Sequence, residues 1–96
     1  MAMVMSILEG DLPPDKAAKL EANFAEYVKA LEPGIVQTSL IRNAGKCKVI
    51  TLWESKEALT AMKVKGIPKG VLLFRYAGVE PTLLAYDVVN SAAKGK

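Results

Sequence analysis

The sequence predicts an α+β domain of β-α-β-β-α-β order, and three observations carry that reading. A long amphipathic helical pattern occupies the first third, two strand-like runs meet at a turn near the middle, and apolar β-type runs stand near both ends. The first strand is read over Met3 to Leu8, an apolar run closed by Gly10 and the Pro13-Pro14 pair. The first helix follows. Ala17, Leu20, Phe24, Tyr27, Val28 and Leu31 recur at steps of three and four, with Lys16, Lys19, Asn23, Glu26 and Lys29 opposite. Pro14 suits its first turn, Asp15 favours the positive end of its dipole, and Pro33-Gly34 stops it.

Ile35 to Arg42 and Cys47 to Glu54 read as the two strands of a hairpin, joined by Asn43-Ala44-Gly45-Lys46, where Asn and Gly tolerate positive φ. Ser55 offers an N-cap oxygen to a short second helix with Ala58, Leu59 and Met62 on one side, Lys63 and Lys65 in its last turn and Gly66 as terminator. Pro68 to Gly78 fits either a further helical segment or a strand through Val71 to Tyr76, and helix is favoured. Thr82 to Val89 supplies the fourth strand, and 91–96 is expected to be a frayed tail of a single domain spanning 1–96. This order is the split βαβ, ferredoxin-like arrangement: one four-stranded antiparallel sheet with its helices on one face.

Composition narrows the function. A 96-residue chain buries only roughly 60–65% of the surface its unfolded form exposes. Yet 51% of its residues are hydrophobic, so further burial by association is expected. The net charge of +3 is spread among acids, which argues against nucleic acid. No run reaches the roughly 20 apolar residues of a membrane span. The apolar N-terminus lacks a basic leader and a small-residue cleavage site. With Cys47 the sole cysteine, nothing points to an oxidising compartment, and the chain reads as cytoplasmic.

Strand alternation carries the partner prediction. In the third strand Val49, Thr51 and Trp53 oppose Ile50 and Leu52; in the fourth, Leu84, Tyr86 and Val88 oppose Leu83, Ala85 and Val89. Neither face is polar, and the helices can cover only one. The other face calls for a second copy, in an interface on the order of 1,600 Å². The alternative is a tilted helix or the Val71–Tyr76 segment wrapping round the sheet.

The run Lys48-Val49-Ile50-Thr51-Leu52-Trp53-Glu54-Ser55-Lys56-Glu57-Ala58-Leu59, the long first helix and the Tyr86-Asp87-Val88 ending resemble the dimeric α+β barrel superfamily, especially antibiotic-biosynthesis-monooxygenase-like domains, over roughly residues 3 to 90. The resemblance implies a dimeric α+β barrel. It also implies, in one branch, cofactor-independent oxidation of aromatic or quinol-type molecules in an apolar pocket between sheet and helices. Haem-degrading relatives use an Asn-Trp-His set; this sequence has no histidine, and Met62 stands where their tryptophan is expected. Other branches are isomerases, ligand-sensing modules and proteins without known activity.

Several side chains are candidates for such a site, each with a plainer alternative. Trp53, the single tryptophan, could wall a pocket and donate its N–H, or be a core or interface aromatic. Tyr86 and Tyr76 could orient an oxygenated substrate, or be packed rings with wet tips. Arg75 could stabilise a developing enolate, or serve as an ion-pair partner. With Trp53, Tyr86 and Arg75 as catalytic candidates, Tyr76, Phe24 and Met62 complete the set as substrate-binding residues. Asp87 could be a base, or an edge-strand charge against aggregation. Cys47 reads as a small hydrophobe, Asn43 as a turn residue and Asn23 as solvated. The sequence holds no metal-ligand cluster, P-loop or G-x-G-x-x-G motif, so no metal and no bound cofactor is expected. Two functions of different class remain: a cofactor-independent monooxygenase, or a non-catalytic dimeric module binding a small apolar ligand or a partner protein. Convergence of Trp53, Arg75, Tyr76 and Tyr86 on one cavity separates them, since dispersal leaves the binding module.

Overall fold

The computed structural model describes residues 3–90 and Ala92. Its elements run β1 (Val4–Asp11), α1 (Pro14–Tyr27) with a 3-10 turn (Val28–Ala30), β2 (Ile35–Asn43), β3 (Lys46–Trp53), α2 (Lys56–Val64), α3 (Lys69–Tyr76) and β4 (Thr82–Asp87). The strands form one antiparallel sheet in the order β2-β3-β1-β4, which is the expected ferredoxin-like topology. The expected tail, apart from Ala92, lies outside the described residues.

Local chemistry accounts for the elements. Pro14 sits in the first turn of α1, where its missing N–H costs nothing, and Asp15 lies beside it. Ser55 Oγ accepts from the Ala58 N–H at 3.1 Å and so caps α2. The 68–78 segment is helical rather than extended, and Gly78, at φ 86°, ends it. Three details differ from expectation. Gly10 does not close β1 but pairs within it, opposite Cys47. A side chain at Gly10 would press on Val79 and Phe74, so its role is close packing. The positive φ of the hairpin turn falls on Ala44, at 55°, and β4 stops at Asp87.

Pairing register sorts the sheet into two faces. Val4, Ser6 and Leu8 of β1 share a face with Cys47, Val49, Thr51 and Trp53 of β3, and all seven are buried. The helices lie over this face. Leu20 and Phe74 are wholly enclosed there, each removing enough apolar surface to contribute about 2–3 kcal/mol. The interior is divided: Leu8, Leu12, Leu20, Cys47, Val49, Leu73 and Phe74 belong to one cluster, while Val4, Trp53 and Leu59 form a second under α2. The opposite face, with Met5 and Ile7 beside Ile50, Leu52, Leu84 and Tyr86, has no helix over it. Neither α3 nor any other described segment wraps round to it. Helical cover is also less complete than expected, since every residue of β4 is exposed, including Leu83 and Ala85 on the helix side.

Candidate functional site

At the seam between the two clusters is a cavity of about 30 Å³, room for one or two waters. Its floor comes from alternate residues of the covered sheet face: Ser6 and Leu8 of β1, Val49, Thr51 and Trp53 of β3. Leu59 and Met62 of α2 and Val71 of α3 close the apolar wall. Gly70 allows the first turn of α3 to sit close to β1, since a Cβ there would lie 2.7 Å from Leu8 Cδ1. The polar groups of the floor are satisfied within it. Trp53 Nε1 donates to Ser6 Oγ at 3.0 Å, and the Thr38 and Thr51 hydroxyls share a hydrogen bond at 3.0 Å.

The polar groups at the edge are charged or phenolic. Tyr27 from the end of α1, Glu32, Lys63 and Lys69 all line the cavity, and Lys69 Nζ lies 3.2 Å from Glu32 Oε1. Burial, with a smaller contribution from the Glu32 carboxylate, pushes the Tyr27 phenol above its ordinary value, so it stays a donor at neutral pH. Tyr27 and Lys69 also border an open surface groove between α1 and α3 that contains Asn23, Leu72 and Tyr76. The groove therefore adjoins the cavity at Tyr27.

Of the six residues the sequence singled out, the structure brings Trp53 and Met62 together and disperses the rest. Arg75 is exposed and bound bidentately to Glu80, its Nε and Nη2 donating at 2.8 and 3.0 Å. Tyr76, 62% exposed, lies in the outer groove. Tyr86, 54% exposed, is paired with Met5 on the uncovered face; it borders a separate depression that shares Leu59 and Lys63 with the cavity. Phe24 packs against the main core, its ring 5.9 Å from that of Tyr27. Asn23 is half-buried rather than solvated, and its Nδ2 has no hydrogen-bond partner among the described residues. Cys47 is a buried hydrophobe-like thiol raised chiefly by burial. Asp87 stands exposed on the edge strand. The sequence reading missed Ser6, Thr51, Tyr27, Glu32, Lys63 and Lys69. The phenolic tip of Tyr27 on an apolar stripe, aimed at a sheet ending in Trp53, was the available signal.

The helix-covered antiparallel sheet, with an apolar cavity under α2, defines an α+β protein of ferredoxin-like topology. A family model described as antibiotic biosynthesis monooxygenase matches residues 3–63, and the chain belongs to that family. Among solved structures, it is similar to a candidate antibiotic biosynthesis monooxygenase from Caulobacter crescentus CB15, at 29% identity and TM-score 0.63, with 93% of this chain and 92% of that one covered. A protein of unknown function from Nitrosomonas europaea superimposes at TM-score 0.74 and 13% identity, covering 100% and 98%. A heme-degrading protein from Mycobacterium tuberculosis does so at 0.69 and 24%, covering 95% and 99%. The last two likenesses concern the fold. No curated protein matches the chain.

The residues present do not fit a histidine-ligated haem, because the sequence has no histidine. Among the described residues no group of three or more His, Cys, Asp or Glu side chains is placed to hold a metal ion. No described helix is long and apolar enough to cross a membrane.

Proposed function

We propose that this chain is a homodimeric, cytoplasmic protein of the monooxygenase family whose pocket binds an apolar or aromatic small molecule between sheet and helices. The observation that carries this reading is the cavity walled by Trp53, Leu59 and Met62 at the seam between two core clusters. Its present volume admits water alone, so binding requires α2 to part from the sheet. The smaller cluster of Val4, Trp53 and Leu59, with Ile35, Ala58 and Met62 packed against it, holds α2 there. The dimer reading is supported by the uncovered apolar face, in which Leu84 and Tyr86 are 37% and 54% exposed. The cytoplasmic assignment is supported by the lone, buried Cys47.

Family membership favours a second reading, in which the bound molecule is a quinol-type or phenolic substrate oxidised without a resident cofactor. The deprotonated substrate itself would pass an electron to O₂, with the protein supplying a dry, oriented pocket. Arg75, Tyr76 and Tyr86 do not converge on Trp53, which favours the binding reading over the catalytic set expected from sequence. Two measurements separate these readings. Titration with 1-naphthol is expected to shift the single indole N–H resonance, and an absence of any shift would defeat both. Oxygen uptake with an anthrone-type phenol, without added flavin or metal, would establish the oxidative reading; binding without uptake leaves the ligand-binding module.

A further inference from the structure

The hydrogen-bonding capacity left unspent around the cavity has a definite sign. Inside, Ser6 already accepts from Trp53, and Thr38 and Thr51 satisfy one another. At the edge the acceptor is the Glu32 carboxylate, and it is committed to Lys69 at 3.2 Å. The edge groups left without a side-chain partner among the described residues are donors. The Tyr27 phenol makes no side-chain hydrogen bond among the described residues. Lys63 lies in no ion pair among them either. Taken together, Lys63, Lys69 and Glu32 leave one positive charge beside an otherwise apolar chamber.

We infer that the ligand of this pocket is an amphiphilic anion, with a carboxylate or ionised enol or phenol oxygen held at the edge by Lys63 and Tyr27. Its apolar body lies against Leu8, Val49, Leu59 and Met62. This rests on the pocket reading above and narrows it. An oxygen anion accepts from both free donors at once, and the charge-assisted bond from Lys63 is stronger than any it could give a neutral alcohol. Glu32 repels the anion, but its charge is offset by Lys69, so Lys63 decides the balance. A cationic ligand would find no unpaired carboxylate lining this cavity.

The test compares 4-phenylbutyrate with 4-phenylbutanol, which share one apolar body, by following the Trp53 indole N–H resonance at neutral pH. The acid is expected to bind roughly three- to tenfold more tightly than the alcohol, the range for one partly exposed charge-assisted contact. Lys63→Met should remove most of the acid's advantage over the alcohol, weakening the acid several-fold more than the alcohol, and Tyr27→Phe should weaken the acid about two- to threefold. Equal affinities in the wild type, or a Lys63→Met loss of equal size for both compounds, would overturn the inference while leaving the pocket standing. A resonance moved by neither compound overturns the pocket reading itself. Circular dichroism of each variant checks that a loss of binding is not a loss of fold.

Discussion

The indole of Trp53 and the hydroxyl of Ser6 lie on neighbouring strands and meet in a 3.0 Å hydrogen bond within the covered face of the sheet. Trp53 pairs with Val4 in the backbone register, so the bond runs diagonally, two residues along β1. Ser6→Ala leaves a buried N–H without a partner and is expected to destabilise the fold by about 1–3 kcal/mol. Urea denaturation measures the loss, and an unchanged midpoint would show that water replaces the hydroxyl.

Two glycines at positive φ separate backbone strain from steric overlap. Gly66 lies at φ 130° with nothing within 4 Å of a built Cβ, so Gly66→Ala should cost only strain, about 1–3 kcal/mol. At Gly34, φ 92°, the added Cβ would fall 2.6 Å from that of Ala58. Gly34→Ala is therefore expected to be the more damaging, by a further 1 kcal/mol or about that. Equal melting temperatures for the two variants would contradict this ranking.

Burial raises both the Cys47 thiol and the Tyr27 phenol above their ordinary values of 9.0 and 10.0. In the folded state each proton is held more tightly than in the unfolded chain. The stability tied to them is thus fully present below the ordinary values and is lost as pH rises through the folded ones. The urea midpoint should fall on the alkaline side, and Tyr27→Phe should reduce that fall. At neutral pH, Cys47, 1% exposed, should react with a thiol reagent only as fast as the protein opens. Rapid labelling of the native protein would place the thiol nearer solvent than the fold does.

The uncovered sheet face makes the most direct prediction about assembly. Ile50 sits in a central strand, paired with Ile7 on that face, and Ile50→Glu introduces a charge where a second copy would pack. Light scattering should give the wild type twice the 10.3 kDa chain mass and the variant the mass of one chain. A wild-type protein already at single-chain mass at micromolar concentration would remove the dimer.

Much of this fold is written in local pattern. The three-and-four spacing of Leu20, Phe24 and Tyr27, the serine before α2 and the turn after Asn43 each act through neighbours a few residues away, so sequence alone reveals them. The site is not local in that sense. Arg75, Tyr76 and Tyr86 are conspicuous by chemical type, but their placement depends on which way α3 faces and on strand register, where one residue's slip exchanges the two faces. Arg75 meets its partner Glu80 only because the chain turns at Gly78. Conversely, Tyr27 and Ser6 lie inside apolar patterns that disguise their polar atoms, and Lys63 and Lys69 become neighbours of the cavity only when α2 and α3 fold together across it.

Because the interior is split, the molecule has a fault line running beneath α2. Proteins open locally along their least-packed boundaries, so α2, held by the smaller cluster, is expected to lift while Leu20, Leu73 and Phe74 stay locked beneath α1 and α3. Amide protons of α2 should accordingly exchange with deuterium well before those of β1 and β3, and a ligand that fills the gap should slow them most. If the pocket takes a guest, the helix that parts to admit it is also where its arrival would be felt.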